Sequence, residues 1–136
     1  MKKESNFARL LIFCGFLVLA LFLWRLNVYF FYSDGSVNVL RESTGLNIHH
    51  FHYGVLFVLI AVLIMMFFSV NYWSVGLAGF GFGSILDSLV SSLTKESVRI
   101  QEIVNYNNAF EPTLLVFIIT ALIVVIFYLV SEKLKK

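Results

Sequence analysis

The feature that most constrains the fold is an uncharged stretch from Ser43 to Leu86, which contains no Asp, Glu, Lys or Arg. An α-helix needs about 20 apolar residues to cross the hydrocarbon core of a bilayer. The stretch is too long for one crossing and long enough for two. Because 60% of the whole chain is hydrophobic and only 13% is charged, the sequence predicts a polytopic membrane protein.

The predicted fold is all-α, a bundle of four transmembrane helices that forms a single membrane domain over residues 1–136. The predicted spans cover residues of about 7–26, 51–70, 73–93 and 112–130. Asn71 and Tyr72 are expected to form the turn between the second and third spans. Pro112 suits the first turn of the last helix, and Glu111 just ahead of it favours the positive end of that helix dipole.

The distribution of basic residues predicts the orientation. Six lie near the two termini: Lys2, Lys3, Arg9, Lys133, Lys135 and Lys136. Four lie at the other membrane side: Arg25, Arg41, Lys95 and Arg99. The positive-inside rule therefore predicts that both termini are cytoplasmic and that the connections at about 27–50 and 94–111 face outward. Since the basic residues sit at membrane ends, the net charge of +2 carries no nucleic-acid signature.

All three histidines of the chain, His49, His50 and His52, lie at the start of the second predicted span. Asp87 is the only acidic residue inside a predicted span, and a carboxylate there is costly enough to imply a partner or a function. Asp87 lies roughly 9 Å below the outer boundary of the third span, at the rise of a helix. Because spans two and three are antiparallel, we expect His52 to meet Asp87, with His49 on the same face and His50 pointing elsewhere.

Three imidazoles and one carboxylate form a credible ligand set for zinc, iron or manganese. We therefore predict a divalent-metal site of His49, His50, His52 and Asp87 near the outer surface. A metal-free hydrogen-bond network between a histidine and Asp87 is one alternative, and polar residues that simply cap the start of a helix at the membrane interface are the other. Glu96 and Glu102 are the candidate catalytic acid or base on that side, although a solvated face with local ion pairs also explains them.

Small residues line one face of the third span. Gly76, Gly79 and Gly83 are spaced three and four apart, and Asp87 continues the same face. Small side chains let a neighbouring helix approach closely, as in the Gly-x-x-x-Gly pattern. We expect the three glycines to serve helix packing and Asp87 to point into the bundle.

The motif His49-His50-Phe51-His52-Tyr53-Gly54, followed by the glycine-rich span that ends at Asp87, resembles a largely uncharacterised family of small prokaryotic, mainly archaeal, integral membrane proteins. The resemblance implies membrane location and a shared polar site, and it supplies no reaction. Members often carry a second acidic residue after the aspartate. This chain has Ser88 there, so the resemblance does not extend to a pair of carboxylates.

Three hypotheses about function follow. The first is a metal-dependent membrane enzyme that acts on a lipid-like substrate, which needs a site open to lipid. The second is a metal-ion or proton transporter, which needs a continuous polar path. The third is an accessory subunit that packs on another membrane helix or on a second copy, which needs the glycine face uncovered in the isolated chain.

Overall fold

A computed structural model describes residues 5–32, 50–93 and 108–135. The helices in these ranges are α1 (Asn6–Asn27), continued by a π-helical turn (Val28–Tyr32), α2 (His50–Phe67), α3 (Tyr72–Leu93) and α4 (Phe110–Leu134). The described part of the chain is thus all-α with four long helices, which confirms that part of the predicted fold. Three of them, α1 with its continuation, α2 and α4, are long and apolar enough to span a membrane.

The third helix, α3, differs from the others in composition and in position. It contains glycines, serines and Asp87, yet its 22 residues extend about 33 Å at the usual rise. It packs along its length against both α1 and α2. The polar side chains of Ser74, Ser84, Asp87 and Ser88 are consequently buried. A helix surrounded by other helices can be less apolar than its neighbours because it presents little surface to lipid.

Side-chain contacts define the two ends of the bundle. At one end, here called the terminal end because α1 begins and α4 ends there, the side-chain amide of Asn6 donates a hydrogen bond to Glu132. At the opposite end, here called the site end, Arg25 of α1 meets Thr113 of α4 and His50 of α2 meets Asp87 of α3. Therefore α1 and α3 run parallel to each other, and α2 and α4 run antiparallel to them. Among the described helices, α2 makes an extended contact only with α3.

Local capping explains where two of the helices begin. The Ser5 hydroxyl accepts a hydrogen bond from the Ala8 N–H at 3.1 Å, which caps α1. At the start of α3, the Asn71 side chain accepts from the Ser74 N–H at 3.0 Å and the Ser74 hydroxyl accepts from the Asn71 N–H at 3.1 Å. This reciprocal pair is a capping box. Tyr72 is thus helical, and its predicted place in the turn was wrong; the turn is formed by residues 68–71.

The glycine face of α3 lies against α1. A Cβ atom on Gly79 would overlap the backbone carbonyl of Phe13, and one on Gly83 would lie 2.5 Å from the carbonyl oxygen of Leu17. A Cβ on Gly76 would stand 3.3 Å from a neighbouring aromatic ring of α1. Because real Cβ atoms do not come this close to backbone, the separation of α1 and α3 depends on these glycines.

A second glycine contact joins α2 to α3. A Cβ on Gly54 would lie 2.7 Å from the carbonyl oxygen of Gly81, and a Cβ on Gly81 would lie 2.8 Å from the carbonyl oxygen of Gly54. This pair lies outside the Gly76, Gly79 and Gly83 face that was predicted for packing. Since α1 and α2 both approach to backbone contact, α3 is held tightly between them.

We expect Gly79→Ala to destabilise the protein by about 1–3 kcal/mol, because the added methyl group meets rigid backbone. Gly15→Ala in α1 is the matched control, since a Cβ there meets nothing within 4 Å. Unfolding of the two purified variants in the same detergent measures the difference. Equal stability of the two variants would contradict the packing of α1 on the glycine face.

Candidate functional site

The site end is organised around the carboxylate of Asp87, which is fully buried. One carboxylate oxygen, Oδ1, accepts from Nε of Arg25 at 3.0 Å and lies 2.9 Å from Nη2 of the same guanidinium. The other oxygen, Oδ2, lies 3.1 Å from Nε2 of His50. A single carboxylate of α3 therefore contacts a guanidinium from α1 and an imidazole from α2.

Arg25 also connects the site to α4. Its Nη2 donates to the Thr113 hydroxyl at 3.3 Å, and its guanidinium lies 5.3 Å from the centre of the Phe110 ring. The Thr113 hydroxyl in turn donates to the carbonyl oxygen of Ala109 at 2.6 Å. All four described helices thus contribute to one group, Arg25, His50, Asp87 and Thr113, which we call the polar cluster.

Trp24 forms one wall of the polar cluster. Its indole stacks on the His50 ring with centres 5.0 Å apart and on the Tyr53 ring at 6.1 Å. Its Nε1–H donates to the Ser84 hydroxyl at 2.8 Å, and that hydroxyl donates to the carbonyl oxygen of Phe80 at 2.8 Å. The imidazole of His50 therefore has a carboxylate oxygen close to Nε2 and a fixed indole against its face.

The histidine that meets Asp87 is His50, so the expected contact between His52 and Asp87 was wrong. His52 is exposed, and its ring lies edge-on to that of Phe51 at 5.8 Å. The physical reason is helical periodicity. His50 lies one turn from Gly54, which packs on α3, whereas His52 is displaced by about 200° around the helix. The glycine four positions after His50 was the available signal in the sequence.

His49, one of the four predicted metal ligands, lies outside the described residues. So do both predicted catalytic acids, Glu96 and Glu102. Among the residues that the structure does describe, no three His, Cys, Asp or Glu side chains are placed to hold a metal ion. Where we expected further imidazoles around Asp87, the structure places the guanidinium of Arg25. A positive charge at this distance opposes a divalent cation on the same carboxylate.

Arg25 is the site residue that the sequence analysis missed, because it was considered only for membrane orientation. The signal was present, since Arg25 ends the first span on the side of the membrane where Asp87 lies in the third. A buried carboxylate is strongly destabilising without a partner, so an arginine at a matching depth is the first candidate.

Apolar side chains separate the polar cluster from the terminal end of the bundle. Leu17, Leu21, Leu86 and Phe117 form the buried core. Leu21 lies one helical turn from Arg25 on α1, and Phe117 lies one turn from Thr113 on α4, both toward the terminal end. In the described part of the bundle, the polar cluster therefore lies near one end, with the apolar side chains of Leu17 and Phe117 on its side toward the terminal end.

Comparison with known proteins adds no relative: no family model, no curated protein and no solved structure matches the chain. The resemblance carried by the histidine motif therefore stays a prediction.

We expect Arg25→Ala to destabilise the protein by about 3–5 kcal/mol, because it leaves the buried carboxylate of Asp87 uncompensated. The double variant Arg25→Ala/Asp87→Ala should lose less stability than the sum of the two single variants. Unfolding of the purified proteins in one detergent measures all three values.

The matched control is the ion pair of Lys135 and Glu132, in which Nζ lies 2.8 Å from Oε1. Its side chains are 55% and 41% exposed, so this pair is solvated where that of Arg25 and Asp87 is buried. Lys135→Ala should change the free energy of unfolding by less than about 1 kcal/mol. If Arg25→Ala is no more harmful than Lys135→Ala, Arg25 does not compensate the charge of Asp87.

Proposed function

We propose that the protein is an integral membrane protein that crosses the bilayer four times, and that its polar cluster is an acid–base site acting on a lipid-like substrate. Three apolar helices support membrane integration, and α3 is long enough to be the fourth crossing. The basic residues at both termini support a cytoplasmic terminal end. The site end then lies at the outer membrane surface.

The observation that carries this proposal is the fully buried carboxylate of Asp87, shared between Arg25 and His50. A carboxylate beside an imidazole holds the ring in one orientation. The imidazole of His50 can then accept a proton from water or from a substrate hydroxyl and return it to a leaving group. The guanidinium of Arg25 can stabilise negative charge that develops on the substrate during the reaction.

The exposure of the three groups fits these roles. The side chains of Arg25 and His50 are 15% and 12% exposed, whereas that of Asp87 is 0% exposed. A substrate would therefore contact the guanidinium and the imidazole, and the carboxylate would act through them. Since α2 makes an extended contact only with α3 among the described helices, α2 is not enclosed by its neighbours, which favours approach from the lipid.

The other two hypotheses find less support. Transport through one chain needs a polar path, and the buried apolar side chains of Leu17 and Phe117 lie on the side of the polar cluster that faces the terminal end. An accessory role through the glycine face needs that face uncovered, and α1 already covers Gly76, Gly79 and Gly83. The acid–base site is thus the function that agrees best with the described residues.

The proposed activity on a lipid-like substrate is tested with the purified protein in bilayer nanodiscs made from the lipid extract of the host cell. Mass spectrometry of the lipids should show a new product with the unaltered protein and a loss of at least about 100-fold in its rate with His50→Gln, the scale of general acid–base catalysis. His52→Gln is the matched control, because His52 is exposed and lies about 200° around α2 from His50. Equal rates for the two variants, or no product at all, would overturn the proposal.

The predicted metal site is an alternative to the metal-free acid–base site, and the metal content of the purified protein distinguishes the two. We expect the content of zinc, iron or manganese after loading to stay well below one ion per chain, because Arg25 holds the carboxylate of Asp87. Elemental mass spectrometry measures the content beside the triple variant His49→Ala/His50→Ala/His52→Ala. One ion per chain that is lost in the triple variant would replace the metal-free acid–base site by a metal site.

A further inference from the structure

The indole of Trp24 joins α1 to α2 at the site end of the bundle. Among the described helices, α1 and α2 both pack along α3 but make no extended contact with each other. The indole crosses this gap and lies nearly parallel to two rings of α2, at 24° to that of His50 and at 19° to that of Tyr53. These two residues are three positions apart and therefore share one face of the helix. Trp24 thus covers the face of α2 that carries the imidazole of the polar cluster.

The indole itself is held by α3. Its Nε1–H donates to the Ser84 hydroxyl at 2.8 Å, and that hydroxyl donates to the carbonyl oxygen of Phe80 at 2.8 Å, one helical turn away. Ser84 is fully buried, and a hydrogen bond away from water is stronger than one in water. An indole N–H in such surroundings also needs an acceptor. The bond to Ser84 therefore fixes the side-chain torsion angles of Trp24.

The imidazole of His50 receives two restraints of different kinds. Two side-chain torsion angles place an imidazole ring, so two restraints are needed to fix it. One is the contact between Nε2 and Oδ2 of Asp87, which is 3.1 Å long and restrains the edge of the ring. The other is the indole of Trp24, which lies against the ring face with centres 5.0 Å apart and restrains its plane. An acid–base group needs such support from neighbours whose own rotamers are fixed.

We propose that Trp24 is a positioning residue, whose indole holds the imidazole of His50 against Asp87, and that Ser84 holds the indole in place. The contacts run from the backbone of α3 through Ser84 and Trp24 to His50. Removal of one hydroxyl group in α3 is therefore expected to change the orientation of an imidazole in α2. The proposal depends on the acid–base role of His50 in the proposed function, but the placement of the imidazole can be measured without any activity.

Nuclear magnetic resonance of the two rings tests this placement. The protein is prepared in nanodiscs with isotope-labelled histidine and tryptophan in a Trp73→Phe background, so that every tryptophan signal belongs to Trp24. Cross-peaks between the indole and one imidazole are expected, and their absence in His50→Gln assigns them. They should be lost in Ser84→Ala, because an indole N–H without its acceptor turns toward a polar partner at the membrane surface.

Ser74→Ala is the matched control for Ser84→Ala. Ser74 is also a fully buried serine of α3, and its hydroxyl belongs to the capping box at the terminal end. Its removal therefore weakens the same helix at a distance from His50. The cross-peaks between the indole of Trp24 and the imidazole of His50 should remain in Ser74→Ala.

The rate of product formation tests whether this placement matters for the reaction. Ser84→Ala and Trp24→Phe should each slow the lipid reaction about 10- to 100-fold relative to Ser74→Ala, the scale of a small misplacement of a reacting group. The double variant Trp24→Phe/Ser84→Ala should be no slower than the slower single variant, because both changes remove the same hydrogen bond. Trp24→Phe leaves α3 unaltered and gives the second test if Ser84→Ala does not fold.

Cross-peaks that persist in Ser84→Ala would overturn the proposal, because the indole would then be held without Ser84. Cross-peaks that are lost while the rate stays equal to that of Ser74→Ala would overturn it as well, and so would an equal rate in Trp24→Phe. Absence of product from the unaltered protein would overturn the proposed function instead. The cross-peaks would then still decide whether Ser84 and Trp24 orient His50.

Discussion

The arrangement of the four helices depends on the compensation of one buried charge. Asp87 lies in the most enclosed helix of the bundle, where an ionised carboxylate without a partner would be strongly destabilising. Its two oxygens are therefore met by Arg25 from α1 and His50 from α2. Because both partners have to reach the same carboxylate, the contact sets the rotation and the relative height of α1, α2 and α3 at the site end.

Close packing is the second condition for this geometry. Gly79 lets α1 approach α3 to backbone contact, and the pair Gly54 and Gly81 does the same for α2. Side chains at these positions would move the outer helices away and lengthen the contacts between Asp87 and its partners. The glycines act without touching the polar cluster, so packing and chemistry are coupled through the spacing of the helices.

Much of the architecture could be predicted because hydropathy and helical periodicity are local properties of the chain. The uncharged stretch indicates two helices joined by a short turn, and the glycine spacing indicates one closely packed face. The histidines were harder, because His50 and His52 lie about 200° apart around one helix and their positions in the sequence do not say which of them faces α3. Only the position of Gly54 on α2 indicates that His50 faces α3, and one glycine is a weak signal in a helix that is apolar all round.

The sequence by itself determined the helical class, the apolar helices that suit a membrane and the presence of one costly carboxylate. These follow from composition and from the period of the helix, which need no knowledge of neighbours. Only the tertiary structure decided that Arg25 compensates Asp87, that His50 joins them and that Arg9 reaches the α2–α3 turn. Each of these contacts joins residues more than thirty positions apart, and their formation depends on how closely the helices pack and how far each one is rotated.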